Sequence, residues 1–215
     1  MRMLSLIAGI AILALVWGGP LPHLAGHSFT SHMIMHMGVV ALAAPLIALG
    51  AAGSRLDPAP RHPMLFAALP ASLLEFAVVW GWHAPALHEF ARAGTPGLVL
   101  EQGSFLAVGL VLWLSCLGVG PSRGRGAAGI FGLLFTSMHM TLLGALLALA
   151  PRPLYGHAMH GGHAFGMSAI EDQNMGGVVM LAVGGAVYLL GGLVLMARLL
   201  NAAPSESAHA PTGRK

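Results

Sequence analysis

The sequence contains very few charged residues and a single cysteine, Cys116. Charged residues make up 8% of the 215 residues, whereas a soluble domain carries about a quarter. With one cysteine the chain cannot form an internal disulfide, and zinc sites built from several thiolates are excluded. Hydrophobic residues account for 56% of the chain. This composition predicts a protein whose helices lie in a membrane.

The sequence also lacks the patterns typical of nucleic-acid binding and of catalysis. Its formal net charge is +3, but the ten Lys and Arg residues are scattered between apolar segments and form no basic stripe. There is no nucleotide-binding glycine motif on a strand, no HExxH motif and no evident nucleophile with a base. We therefore expect a non-enzymatic protein with no nucleic-acid partner. The 30 glycines indicate closely packed helices.

Long apolar stretches organise the chain. Six of them approach the ~20 residues that a helix needs to cross the hydrocarbon core. We predict an all-α polytopic membrane protein, with a transmembrane domain over residues 1–201 and a disordered cytoplasmic tail over 202–215. Alternatively, the first stretch is a cleaved signal peptide, which leaves five helices. The predicted helices span residues 3–19, 29–50, 64–82, 97–118, 127–150 and 174–200.

The basic residues predict the orientation of these helices. Of the ten Lys and Arg residues, all but Arg92 and Arg152 fall on one side when successive stretches alternate in direction. Because short cytoplasmic loops are enriched in Lys and Arg, both termini are predicted to be cytoplasmic. The expected location is the cell membrane, in contact with the lipid bilayer as a multi-pass protein.

Histidine and methionine are abundant, with 12 and 13 residues, and the predicted topology places most histidines away from the cytoplasm. Only His62 and His209 fall on the cytoplasmic side, and three histidines lie within predicted helices, namely His32, His36 and His139. The others fall in outer loops or at their helix ends: His23, His27, His83, His88, His157, His160 and His163.

The second predicted helix carries a dense His and Met motif near its outer end. His32 and His36 are four residues apart, so their imidazoles project from one helix face, and Met33 and Met37 form a neighbouring stripe. Imidazole and thioether together suit Cu(I), whereas zinc and iron sites normally also use thiolate or carboxylate ligands. This motif therefore predicts a copper site that is reached from the outer surface.

Further candidate ligands lie on the other helices and in one loop. His139 is flanked by Met138 and Met140 in the fifth helix, and one of these methionines could join His139 on an ion. The loop containing His157, Met159, His160 and His163 is typical of flexible metal-exchange segments. His83 and His88 are expected to contribute from the rim. Carboxylates within a membrane are costly unless paired, so Glu75 and Glu101 are expected to orient ligands from a second shell. Asp172 is a further second-shell candidate, expected to fix the histidine-rich loop or the start of the sixth helix.

With these motifs assembled, the sequence resembles the membrane CtaG family of assembly factors for caa3-type cytochrome c oxidase, from about residue 29 to residue 200. The resemblance implies a role in maturing the copper-containing oxidase. Gln102 stands where members often have His, so no ligand is expected there, and Ala44-Pro45 replaces a double proline, which alters a kink. The matching segments are His32 to Met37, Ala44 to Gly50, Trp82 to Leu87, Pro153 to Tyr155, and Glu171 to Gln173 with Gly176-Gly177.

The leading hypothesis is a membrane protein that binds copper, as Cu(I), and delivers it during oxidase assembly. His32, His36 and His139 would form the buried site with methionine ligands. The expected partners are an oxidase subunit or an extracytoplasmic copper chaperone, and a homo-oligomer is possible. One alternative is a haem protein with His36 and His139 as axial ligands. Another is a membrane copper transporter.

Overall fold

Helices form all of the regular structure in the part of the chain that the computed structural model describes, residues 1–117, 123–155 and 166–201. This confirms the predicted all-α class. Each predicted apolar stretch contains a long helix, and the largest shifts are at residues 64, 127 and 174, where the helices begin at Ala68, Arg123 and Ala169. The helices are α1 Arg2–Gly18, α2 Leu21–Ala25, α3 Phe29–Ala51, α4 Ala68–Trp82, α5 Pro85–Arg92, α6 Thr95–Leu117, α7 Arg123–Ala148 and α8 Ala169–Asn201.

Within the described residues, four helices are long and apolar enough to cross a membrane: α3, α6, α8 and the segment Gly126–Ala148 of α7. The other two long helices, α1 and α4, have 17 and 15 residues. At about 1.5 Å per residue, such helices reach roughly 23–26 Å, which is less than the ~30 Å hydrocarbon core. The chain is therefore a polytopic helical membrane protein, and the predicted number of six spans stays a prediction for these two helices.

Two short helices were not expected from the sequence, and one of them shapes the site. Helix α5 begins at Pro85, where the missing N–H is harmless and the fixed φ favours a helical start. It was predicted as a loop because its eight residues include His, Glu and Arg. Its His88 and Arg92 are four residues apart and share one face, and both side chains are buried.

Helices α3 and α8 each contain a π-helical segment, Gly38–Ala43 in α3 and Met180–Gly184 in α8. The first segment directly precedes Pro45, which has no N–H and would clash with a carbonyl of an ordinary α-helical turn. A widened turn accommodates such a break in the hydrogen-bond ladder. The Tyr188 hydroxyl of α8 donates to the Val40 carbonyl oxygen in this segment, at 3.1 Å. The two irregular helices are thereby joined in the bundle core.

Glycines let α7 and α8 approach closely, as the sequence composition suggested. A Cβ atom added at Gly144 would lie 2.6 Å from the backbone nitrogen of Leu181 and 2.9 Å from the carbonyl oxygen of Gly177. These neighbours are backbone atoms, so the helices would have to separate to accept a side chain. Small residues at such crossings allow close van der Waals contact, which drives helix association in lipid. This crossing positions α8 against the start of α3.

Candidate metal centre

The first turn of α3, which carries His32, is held in place by a carboxylate from α8. Asp172 accepts hydrogen bonds from the backbone N–H groups of Phe29 and Thr30, at 2.7 and 3.0 Å, and from the Ser28 hydroxyl at 2.8 Å. The N–H groups at a helix start have no partner within the helix, so Asp172 satisfies them from a neighbouring helix. The sequence hypothesis placed Asp172 in a second shell that fixes the last outer loop or its own helix start. It instead fixes the helix that presents His32 and His36.

Four of the predicted histidines come together as buried rings from three elements, and we call His32, His36, His83 and His88 the imidazole cluster. The centroids of the His32 and His88 rings are 5.1 Å apart, those of His36 and His83 are 5.5 Å apart, and those of His32 and His83 are 6.4 Å apart. Helix α3 supplies His32 and His36, the end of α4 supplies His83, and α5 supplies His88. The two rim residues of the sequence hypothesis thus lie beside His32 and His36.

Several ring nitrogens of the imidazole cluster have no hydrogen-bond partner. The Nδ1 atom of His83 lies 2.6 Å from the Val79 carbonyl oxygen, so it donates and leaves the lone pair on Nε2 free. That Nε2 atom, both nitrogens of His36 and Nδ1 of His88 are buried without a partner among the described residues. Buried polar atoms are normally satisfied. These nitrogens are therefore candidate metal ligands.

Two members of the imidazole cluster, His83 and His88, lie outside the membrane-spanning helices and are held in the neutral form. Burial lowers the pKa of His83 to about 4. Burial lowers the pKa of His88 to about 3, with a further contribution from the positive charge of Arg92. A neutral imidazole has a free lone pair and is the form that binds metals. Both rings are therefore available as ligands at neutral pH.

A buried arginine stands at one side of the imidazole cluster. The Nη1 atom of Arg92 donates to Nδ1 of His32 at 2.7 Å and to the Ala25 carbonyl oxygen at 3.4 Å, and its Nη2 atom donates to Glu101. The Gln102 amide also donates to Glu101, at 3.1 Å. In the sequence, Arg92 served only to orient the helices, and its place in the site was missed. The spacing of His88 and Arg92 on one face of a short amphipathic helix is the signal that could have revealed it.

One group of side chains in the described part of the chain has the spacing of a metal site with a carboxylate. His32, His88 and Glu101 each offer an atom, and these atoms lie within 4.8 Å of one another. Two imidazoles and a carboxylate are a ligand set that zinc uses. However, the guanidinium of Arg92 bonds both His32 and Glu101. Glu101, predicted as a second-shell group, is instead the partner of a fixed positive charge.

The methionines lie on other faces than the imidazoles. Met33 and Met37 pack against α8, where the Cγ atom of Met33 is 3.0 Å from a Cβ atom added at Gly176 and the sulfur of Met37 is 3.2 Å from one added at Gly184. Adjacent helical residues diverge by about 100°, which turns both methionines away from the face that carries His32 and His36.

The two methionines beside His139 point in different directions. Met140 is fully buried and approaches the same Gly184 as Met37 does, with its Cβ atom 3.4 Å from a Cβ atom added there. Met138 is 61% exposed on the outer surface of the bundle. The structure therefore does not bring Met138 to any histidine in the core, contrary to its proposed grouping.

His139 is separate from the imidazole cluster. Its Nε2 atom lies 2.9 Å from the Glu75 carboxylate, and its ring is enclosed by Phe76 and Phe135, with centroid distances of 5.2 and 5.4 Å. Glu75 thus orients His139, but the structure does not place that pair with His32 and His36. The predicted exchange-loop residues lie outside the described residues: His157, Met159, His160 and His163.

Comparison with known proteins gives one finding. A family model described as cytochrome c oxidase caa3 assembly factor (Caa3_CtaG) matches residues 1–202. No curated protein and no solved structure matches the chain.

Proposed function

The chain belongs to the family of cytochrome c oxidase caa3 assembly factors, and from this premise we propose that it binds copper in the imidazole cluster and delivers it to the oxidase. Membership implies a role in cytochrome c oxidase assembly and favours a non-catalytic role. The identity of the cargo and the ligands are the proposed parts. The cargo is expected as Cu(I), and the location as the cell membrane.

The observation that carries the proposal is the set of unpartnered imidazole nitrogens. His36 has two, and His83 and His88 have one each. Leaving such atoms buried without a hydrogen bond costs about 1–3 kcal/mol each, and a metal ion would remove that cost for the one nitrogen of each ring that it coordinates. Imidazole is a good ligand for copper. We propose His36, His83 and His88 as the main ligands, which requires their side chains to close on the ion, because the described ligand atoms that already lie within 4.8 Å of one another belong to His32, His88 and Glu101. His32 would be a further ligand once it leaves Arg92.

The approach to the imidazole cluster supports a role in metal exchange. Tyr155, the last described residue before the histidine-rich loop, donates its hydroxyl to the His83 carbonyl oxygen at 2.9 Å. Its ring lies 4.2 Å from that of His88. Tyr155 therefore lies beside the cluster, and the histidine-rich segment follows it directly in the sequence. We propose that His157, Met159, His160 and His163 pass copper between the cluster and an oxidase subunit or an extracytoplasmic copper chaperone.

The haem alternative required His36 and His139 to face one another across a porphyrin. Nε2 of His139 is instead bonded to Glu75, and its ring is covered by Phe76 and Phe135. The transporter alternative required ligands in the cytoplasmic half of the bundle. The four assigned histidines all lie at the end of the bundle where α3 begins, which favours hand-over on one side of the membrane.

The test measures the copper content of the oxidase in cells that lack the native gene. The chain with His36, His83 and His88 all changed to alanine is expected to leave the oxidase deficient in copper, while the wild-type chain restores it. His62→Ala is the matched control, because His62 is exposed and lies in the connection between α3 and α4. Full copper loading with the triple variant would exclude the proposed function.

A further inference from the structure

A fixed positive charge inside a proposed cation site needs an explanation. Arg92 is 6% exposed and Glu101 is fully buried, so this ion pair is largely removed from water. The same guanidinium also bonds Nδ1 of His32. Placing a cation next to a buried arginine weakens binding of any metal. A gain in metal affinity therefore does not explain why Arg92 contacts His32 and Glu101.

The local charges show what Arg92 changes. The carboxylate of Glu101 and the guanidinium of Arg92 balance each other, so this ion pair adds no net charge to the site. An incoming Cu(I) ion thus meets a neutral site, and a divalent ion would add twice the charge. At an effective dielectric constant near 20, two unit charges about 6 Å apart interact strongly enough to change the binding constant of a monovalent ion on the order of 100-fold. For a divalent ion the interaction energy is twice as large, so the factor in the binding constant is squared.

The ligand atoms are also affected. Without Arg92, His32, His88 and Glu101 would offer two imidazoles and a negative carboxylate within 4.8 Å of one another, which suits zinc and other divalent ions. With Arg92 present, Glu101 is neutralised and Nδ1 of His32 accepts a hydrogen bond. The neutral nitrogens of His36, His83 and His88 remain. Neutral imidazoles accept zinc as well as copper, so the discrimination rests on charge: without a net negative carboxylate, the site loses the attraction that favours a divalent ion over a monovalent one.

We infer that Arg92 is the specificity-determining residue of the imidazole cluster: by neutralising Glu101 and engaging His32, it lowers the affinity of the site for divalent ions relative to monovalent copper. The inference rests on the proposed function, because it concerns the same site. It assigns to Arg92 a role that its position in an outer segment does not suggest.

The experiment measures the affinities of the purified full chain for Cu(I), with a chromophoric competitor under anaerobic conditions, and for Co(II) and Zn(II). In the Arg92→Gln variant, the ratio of divalent to Cu(I) affinity is expected to rise on the order of 100-fold. Arg92→Lys keeps the charge, and its ratio should stay within about threefold of wild type. Arg92→Gln combined with Glu101→Gln restores a neutral site, so its ratio should return towards wild type.

These variants separate the effect of the Arg92 charge from the effect of lost packing. An unchanged ratio in Arg92→Gln, or an equal rise in Arg92→Lys, would overturn the inference, since a loss of packing alone affects both ions alike. If Arg92→Gln does not fold, Glu101→Gln tests the same charge, because it leaves the guanidinium unbalanced. Its divalent affinity should then fall relative to Cu(I), and no change would refute the inference.

The outcome also distinguishes the inference from the function on which it rests. If the wild-type chain binds no Cu(I) but Arg92→Gln gains Co(II) binding, the copper function fails and the weakening of divalent binding by Arg92 stands. If the wild-type chain binds Cu(I) and the ratio does not respond to Arg92, the function stands and the inference fails.

Discussion

The carboxylate of Asp172 offers the sharpest test of how the site is held together. It accepts three hydrogen bonds, from the N–H groups of Phe29 and Thr30 and from the hydroxyl of Ser28, at 2.7, 3.0 and 2.8 Å. The Asp172→Ala change removes all three acceptor contacts at once. The start of α3 would then keep buried N–H groups without a partner, and the contact with α8 would weaken.

The expected cost follows from these three bonds. Hydrogen bonds to a charged group contribute about 1.5–3 kcal/mol each, and bonds that share one acceptor are not additive. We expect Asp172→Ala to lower the free energy of unfolding by about 3–6 kcal/mol. Asp172→Asn keeps one acceptor oxygen and should cost less than half as much. Because His32 follows one turn later, Cu(I) affinity should also fall in the alanine variant.

The assay is unfolding of the purified chain in mixed micelles with increasing SDS, followed by circular dichroism. Glu171→Ala is the matched control, since the adjacent carboxylate is exposed and bonds only Ser168 in the capping box of its own helix. The alanine variant at Asp172 should unfold at a clearly lower SDS fraction than this control. Equal midpoints for the two variants would refute the assignment of Asp172 as the clamp between α3 and α8.

Three further predictions concern the rest of the bundle. Gly144→Ala forces apart the crossing of α7 and α8 and should lower the free energy of unfolding by about 1–3 kcal/mol, whereas Gly103→Ala, where an added Cβ atom meets nothing within 4 Å, should change the SDS midpoint little. His139→Ala leaves the buried Glu75 carboxyl without its partner and should cost about 1–3 kcal/mol in the same assay; an unchanged midpoint would show that this pair is not structural. The pKa of His83, lowered to about 4 by burial, should appear as an NMR titration midpoint near pH 4. Because unfolding returns this group to its ordinary value of 6.5, stability should fall as the pH is lowered from 6.5 to 4, and a midpoint near 6.5 would contradict the burial.

The sequence was sufficient to predict the helical class and to select the histidines at the start of α3 as candidate ligands. Hydropathy located the long helices, because spanning a membrane requires long apolar runs. The spacing of His32 and His36 placed both rings on one helix face, and the predicted topology placed His83 and His88 at the rim on the same side of the membrane. The family resemblance is confirmed by the family match over residues 1–202.

The remaining features depend on helix rotation, which hydropathy does not report. Met138 and Met140 are both apolar and flank His139, but the structure buries only Met140. The depth of Glu75 was evident from the sequence, whereas its pairing with His139 required the packing of α4 against α7. Helix α5 is too short and too polar to register as an apolar stretch, so the inward position of Arg92 was missed.

Cu(I) affinity of the purified chain tests the central claim most directly. Equilibrium competition should show that the wild-type chain binds copper and that changing His36, His83 and His88 together to alanine lowers the affinity by at least about 100-fold, which corresponds to about 3 kcal/mol. The His62→Ala control should bind as the wild type does. Equal affinity in the triple variant and the wild type would contradict the assignment of the imidazole cluster as the copper site.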